Sequence, residues 1–388
     1  MSARPGSYSV ELVECRVGSA PAALKAKWFE CAARSSNWRA VQQTPEWVEW
    51  RAAPAGRYHL AVTRDPGGEI VSVSPLREEA FELSFGVARW NMLTLRVNAL
   101  LIVGNIPAMP ESRAVYDAFF DTLAKDSRCN AVSMLGVPKE SAFWSHLNTM
   151  QRSKGRWIVY TPWPFDRYHF IRMPGSFGEY LARFSSKTRQ NLKRQVRVLR
   201  EHGNGRLELD RVTTPGDVDE FLAGAREIAR ASWQKLLVTV PYADAADRSV
   251  VLTDMARAGL LQSYLLKCDG KACAYGLGFR LNGTYFFQET AFDPAWERFS
   301  PGKCLLYLMI EDLLGSNAPA RFWFGPGTET YKQWFANGAG EERTVFVLRN
   351  TRANRLKVGT HRAFCSTIRL AKRVWPRRTR AGSGRGRP

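Results

Sequence analysis

Three short stretches of this chain hold side chains able to do chemistry: YFFQETAFDP (285–294), FSPGKC (299–304) and TETYKQWF (328–335). In the second, Ser300 is a helix-capping residue type, and Pro301 suits the first helical position, where a missing N–H costs nothing. Gly302 lets a ligand approach the backbone, and Lys303 adds a full charge. A helix start of this kind presents free N–H groups and a partial positive charge, which suits a phosphate or pyrophosphate. An ordinary capped helix start has the same letters. Glu289 stands among aromatic residues, which take a carboxylate out of water and favour its use as a base near neutral pH. The other reading is a solvent-facing position on an alternating strand. Asp293, before Pro294, reads as a turn residue. Tyr331 offers a hydroxyl and Lys332 an ammonium group, although a core aromatic and a surface charge would look alike.

A fourth stretch, SSKTRQNLKRQVRVLR (185–200), is basic. Phe184, Leu192, Val196 and Leu199 recur at near-helical spacing, which predicts a helix over 183–202 with Lys187, Arg189, Lys193, Arg194, Arg197 and Arg200 on its other faces. Such a helix can meet the phosphate of an acceptor, nucleic acid or solvent alone.

The net charge of +20 on 388 residues is localised. Residues 349–388 hold 13 Lys/Arg and residues 182–200 hold 7, both without Asp or Glu, so the remaining 36 basic residues balance all 36 acidic ones. Basicity therefore belongs to one helix and one tail, not to the whole fold, and nucleic acid is a less favoured partner than a membrane surface or a small acceptor. The Arg-rich end, RLAKRVWPRRTRAGSGRGRP, is expected to be partly disordered, and anionic lipid head groups and RNA would both attract it. Seven scattered Cys without C-x-x-C spacing predict neither a disulfide framework nor a metal site and fit a reducing cytoplasm. The first residues, MSARPGSYSVELVECRVG, lack an apolar leader, and no 18-residue apolar run occurs, so the expectation is a cytoplasmic protein with peripheral contact at the inner membrane face left open.

The elements that must position these residues follow α/β grammar. The first half predicts strands at RYHLAVTR and EIVSVSPL around a DPGG turn, apolar segments at ARWNMLTL and ALLIVG, a helix at RAVYDAFFDTLAKDS and a strand at NAVSMLG. VYTPWPFDRYHFIRMPGSF, with three Pro, reads as the connection. The second half predicts, after the basic helix, a strand at RLELDRV, helices from Pro215 to Trp233 and over 247–258, and strands at LQSYLLKC, KACAYGLGFRL and TYFFQETAF joined by Asp269-Gly270 and Asn282-Gly283 hairpins. The Ser-Pro-Gly helix, a strand at RFWFG, a helix at TYKQWFANG and a strand at RTVFVLR complete it.

The meander, FFQETAFDP, FSPGKCLL and FWFGPGTETYKQWF together resemble the GNAT acyltransferase superfamily, and more narrowly the CelD/BcsL-type acetyltransferases, whose relatives include the FemAB aminoacyl ligases. The resemblance covers roughly 175–350, with QTPEW and VSVSPL as looser echoes in the first half. It implies an α/β (α+β) fold of tandem GNAT-like domains, each a mixed twisted central sheet flanked by helices, at 1–165 and 170–350, followed by a basic tail at 351–388. It implies acyl-CoA, such as acetyl-CoA, as co-substrate at Ser300, Gly302, Lys303 and Cys304, without metal. Glu289 is implied as base and Tyr331 as acid, with Lys332 beside it. Lys187, Arg189, Lys193, Arg194 and Trp233 are implied on the acceptor side, the acceptor being a sugar or lipid-linked polysaccharide or cell-envelope precursor. The phosphate loop departs from the superfamily's glycine-rich pattern, which leaves an acyl carrier protein or aminoacyl-tRNA open as donor.

Overall fold

The computed structural model describes residues 7–52, 55–87, 90–126, 129–153, 155–231 and 248–374. The first half contributes β1 (Ser9–Arg16), α1 (Ala22–Arg34), α2 (Pro45–Ala52), β2 (Arg57–Arg64), β3 (Ile70–Val87), β4 (Trp90–Ile102), α3 (Arg113–Lys125), β5 (Ala131–Pro138), α4 (Ala142–Arg152) and β6 (Trp157–Tyr160). Then come β7 (Asp166–Arg172), α5 (Phe177–Ala182), α6 (Ser186–His202), β8 (Leu207–Val212), α7 (Val218–Ala231) and α8 (Arg248–Arg257). The chain continues through β9 (Ser263–Cys268), β10 (Lys271–Leu281), β11 (Thr284–Phe292), α9 (Pro301–Gly315), β12 (Arg321–Pro326), α10 (Thr330–Phe335), β13 (Gly338–Arg349) and α11 (Arg352–Val374).

The strands form one mixed sheet in the order β1-β2-β3-β4-β5-β13-β7-β12-β11-β10-β9-β8, with β6 also on β13. Helices flank it on both faces, so the fold is mixed α/β with a large mixed sheet, as the sequence predicts. The two Gly hairpins form as expected: Asp269 and Gly270, and Asn282 and Gly283, all have positive φ, the requirement of a tight two-residue hairpin turn.

Three local expectations are corrected. The strand expected at EIVSVSPL runs on as β3 to Val87, because REEAFELSF alternates and pairs along β4. The Pro-rich stretch read as a connection supplies β7, which lies between β12 and β13 in the middle of the sheet; its YHFI run is buried, whereas the prolines stand outside it. The basic tail begins as the helix α11, with Asn354, Val358 and His361 buried, and its Arg-rich end lies outside the described residues.

α9 is apolar nearly all round and buries Cys304, Leu305, Leu306, Met309, Ile310 and Leu313 on one face of β10–β12, against Tyr264, Phe287, Phe322 and Phe324. The other face is covered by α7, whose Phe221, Leu222, Ala225 and Ile228 meet Tyr275 and Leu277. First-half residues reach into this second core: Trp47 meets Phe279 at 5.2 Å and Phe286 at 6.0 Å. Arg39 places a guanidinium nitrogen 2.5 and 2.7 Å from the two carboxylate oxygens of Glu342 on β13, both residues buried. Gly136, at φ +76°, sits against this pair, where a Cβ would come within 2.5 Å of a Glu342 oxygen. Only glycine fits there.

Candidate active site

β11 and β12 are parallel neighbours for only three residue pairs, from Thr284/Arg321 to Phe286/Trp323, and then part. Both strands carry an extra residue at the point of parting. On β11, Phe287 pairs with Gly278 and Glu289 with Leu277, so Gln288 is unpaired. On β12, Trp323 pairs with Phe170 and Gly325 with His169, so Phe324 is the extra residue. A bulge bends its strand and re-aims side chains; two of them side by side open the sheet just before α9 on one side and α10 on the other.

Glu289 stands at this opening. Its Oε1 accepts a hydrogen bond from the Tyr275 hydroxyl at 2.5 Å, and its Oε2 lies 3.3 Å from a guanidinium nitrogen of Arg248, which is nearly fully buried. The sequence suggested an aromatic surround; the structure instead gives the carboxylate a hydroxyl donor and a cation. Burial, and the charge and hydrogen bond of Glu289, hold the Tyr275 hydroxyl well above the usual phenol range, so it remains a donor.

Tyr331 lies on α10 and packs edge-on to Phe324, 6.2 Å between ring centroids. Burial first, and then the charge of Glu329, raises its hydroxyl above the ordinary phenol value. It therefore keeps its proton at neutral pH, and no hydrogen bond engages it among the described residues. Lys332 is buried and committed: it donates to the Pro326 carbonyl at 2.6 Å and pairs with Glu329 at 3.1 Å, bracing the FGPG turn. Glu289 and Tyr331 are not in contact. Glu289 is held on the α7/α8 face, and Tyr331 belongs to the core on the α9 face.

The start of α9 differs from the simple cap read in the sequence. Ser300 adopts a left-handed backbone (φ 54°, ψ 51°) and its hydroxyl caps nothing. Its carbonyl instead takes the N–H groups of both Lys303 and Cys304, at 3.0 and 3.2 Å. Pro301 has no N–H, and of the first-turn donors Gly302 finds no backbone acceptor among the described residues. A Cβ at Gly302 would make only an ordinary 3.5 Å contact with Phe292, so the fold does not itself demand glycine there. Lys303 is exposed, whereas Cys304 is core, its thiol pushed up to about 12 by burial. This helix start fits one phosphate oxygen on the Gly302 N–H, with Lys303 adding charge, and is a sparser cradle than a glycine-rich loop.

The basic helix α6 forms as predicted, capped by Ser185, whose hydroxyl accepts from the Thr188 N–H at 3.2 Å. Leu192, Val196 and Leu199 are buried, and Lys187, Lys193 and Arg194 are exposed. Arg189 is turned back on the helix start, donating to the Phe184 carbonyl at 2.6 Å and to Ser186. Trp233 lies outside the described residues. Lys193 and Arg200 face Glu311 of α9, whose carboxyl burial nonetheless raises.

Several residues of the site carried no sequence signal. Arg248 reaches Glu289 from α8, and Tyr275 from the diagonal of the neighbouring strand β10. Arg183 donates to the Phe335 and Ala336 carbonyls at the C-terminus of α10 and stacks over Phe184 at 4.6 Å, fixing the helix that carries Tyr331. His169 is buried beside Arg167, Lys332 and Glu329, and burial lowers its affinity for a second proton. Among the described residues no group of His, Cys, Asp and Glu could hold a metal ion, and no helix is long and apolar enough to cross a membrane.

Residues 186–333 match a family model described as an acetyltransferase (GNAT) domain. No curated protein matches the chain in a sequence comparison. Among solved structures, FemX is similar with a TM-score of 0.62 at 11% identity, covering 89% of this chain and 99% of that one. A domain provisionally described as the C-terminal domain of a lysylphosphatidylglycerol synthetase from Agrobacterium fabrum gives 0.53 at 10% identity, covering 87% and 95%. L-PGS from Bacillus licheniformis gives 0.50 at 11% identity, covering 92% and 99%. At these identities the likeness is one of fold. Together with the family match, it defines a GNAT acyltransferase-type fold, with the parted β11–β12 pair and the start of α9 inside the matched region.

Proposed function

We propose that the chain is an acyltransferase that moves an acyl group directly from acyl-CoA to an amine or hydroxyl of a sugar or polysaccharide or cell-envelope precursor. The observation that carries this reading is the opening between β11 and β12, made by paired bulges, with an anchored carboxylate at its edge and an unengaged, protonated tyrosine on the helix beyond.

A bound acyl-CoA supplies a carbonyl activated by a thiolate leaving group. Glu289 accepts the proton of the attacking amine or hydroxyl, with Tyr275 and Arg248 fixing the carboxylate. The new C–N or C–O bond forms as the C–S bond breaks, and Tyr331 returns a proton to the departing sulfur. Gly302 and Lys303 hold a phosphate of the donor at the helix start.

A second reading has a specific observation in its favour. The start of α9 leaves only one free backbone N–H, while α6 exposes Lys187, Lys193 and Arg194, an arrangement that also suits aminoacyl transfer from a tRNA, as in a Fem-like ligase. Calorimetric titration with acetyl-CoA and longer acyl-CoAs, repeated on Gly302→Val, separates the two. Micromolar binding lost in the variant supports the CoA reading; no binding by the intact protein removes it and leaves the tRNA reading to be tested with charged tRNA.

A further inference from the structure

At the other end of β11 and β12, away from the opening, lies a cavity of about 380 Å³ lined in part by Trp38, Arg172, Asn282, Thr284 and Arg321. It is walled by both halves of the chain. The side chain of Asn282, in the β10–β11 turn, donates to the Ser35 carbonyl of the loop after α1, and Trp38 from that loop packs edge-on against Tyr168 at 4.3 Å.

Two arginines enter this cavity as direct register partners, Arg172 on β7 opposite Arg321 on β12. Like charges directly opposite on adjacent strands repel, and an ion pair with a carboxylate is the usual remedy. Among the described residues neither guanidinium has one, nor any side-chain hydrogen bond. Arg321 is half-buried and lies over the faces of Trp38 and Phe170, at 4.9 and 5.0 Å. Arg172 lies over the same Phe170 at 5.7 Å. Stacking uses the flat face of a guanidinium and leaves its N–H edge available. Among the described residues the nearby carboxylates make no ion pair with either arginine: Glu140, whose charge reaches Arg321, accepts from the Tyr168 hydroxyl at 2.5 Å, and Glu111 accepts from Ser36 at 3.4 Å. The buried Thr284 hydroxyl, also without a partner among the described residues, adds a donor to the wall.

We infer that Arg172, Arg321 and Thr284 form an anion site for a diphosphate or phosphate ester, separate from the acyl-transfer opening. Two forked guanidiniums on fixed strands match the spread oxygens of a diphosphate, and the cavity holds the diphosphate with part of the group it carries. The inference does not depend on which donor serves the opening.

The test is calorimetry and thermal denaturation of the full chain with inorganic pyrophosphate, with sodium chloride matched for ionic strength as control. Binding should weaken about tenfold in each of Arg172→Gln and Arg321→Gln, and Arg172→Lys should recover part of it. Arg321→Gln also removes a stacked side chain, so the exposed Arg172 carries the test if that variant misfolds. The control variant Lys271→Gln, at the exposed start of β10, should bind as the parent does. No binding by the parent up to about 10 mM, an energy no better than a weak surface contact, overturns the site. So does binding that survives Arg172→Gln or is lost in the Lys271→Gln control. A nucleoside diphosphate and a prenyl diphosphate form the two further arms, and the tighter names the source of the diphosphate.

Discussion

Tyr275 and Glu289 sit diagonally across the antiparallel pair β10–β11, the tyrosine hydroxyl 2.5 Å from the carboxylate oxygen it donates to. The register partner of Glu289 is Leu277, so the contact reaches along the sheet at the bulge, and Arg248 closes on the second oxygen from α8. A carboxylate held at both oxygens is oriented before any substrate arrives, as a general base must be.

Replacing Glu289 by Gln should lower kcat by about 100-fold or more, the usual worth of a positioned base. Tyr275→Phe removes only one of its supports and should cost less. Steady-state rates with a competent acceptor decide this; full turnover by Glu289→Gln would remove the residue from its role.

For Tyr331→Phe the expected loss depends on the leaving group. With a CoA thioester the rate should fall by about tenfold or more, and with a thioester of a more acidic thiol the loss should shrink, because that thiolate needs no proton. A defect equal for both thiols would assign the residue to packing.

Acid should weaken the fold through His169. Burial holds its folded pKa below the ordinary 6.5, so the unfolded chain takes up the proton first. The contribution of the neutral imidazole is complete above about pH 6.5 and is lost as pH falls from there towards the folded value. His169→Asn should flatten this part of a stability-against-pH curve measured by urea unfolding, leaving the slope of the similarly placed His146.

Gly136→Ala should cost about 2–4 kcal/mol, because its Cβ would meet the Arg39–Glu342 pair and its φ is left-handed. Denaturant midpoints measure it. A loss below about 1 kcal/mol, within the range of an ordinary surface change, would show that the pair moves aside freely.

Removing residues 352–388 should destabilise the protein as well as strip its charge, since Val358 and His361 are buried against the β3 side of the sheet and His361 pairs with Tyr160.

Much of this architecture could be read from the letters because it rests on local rules. Asp-Gly and Asn-Gly turns, the spacing of Leu192, Val196 and Leu199, and the apolar run of α9 each fix a neighbourhood a few residues long. Glu289, Gly302 and Tyr331 were singled out by their place on such elements; their elements flank the parting of β11 and β12, with Glu289 and Tyr331 on opposite faces of the sheet. The partners of Glu289 could not be read, because Arg248 and Tyr275 meet it only through the packing of α8 and the diagonal of a bulged strand pair. DRYHFIR was taken for a linker because prolines flank it, yet a central strand needs proline excluded only from its own span. Ser300 looked like a side-chain cap, but its left-handed backbone turns its carbonyl, not its hydroxyl, to the helix start.

The place of β13 bears on how the polypeptide reaches its native form. Its register partners lie on β5 on one side and on β7 and then β6 on the other, so the middle of the sheet stays open until about residue 349 has left the ribosome. Until then β5 and β7 present bare edges, and pairings of high sequence separation close slowly. The nascent chain is therefore exposed to aggregation until β13 emerges, and a fragment that stops short of β13 adds unpaired edges in the middle of the sheet to those that β1 and β8 already present at its ends.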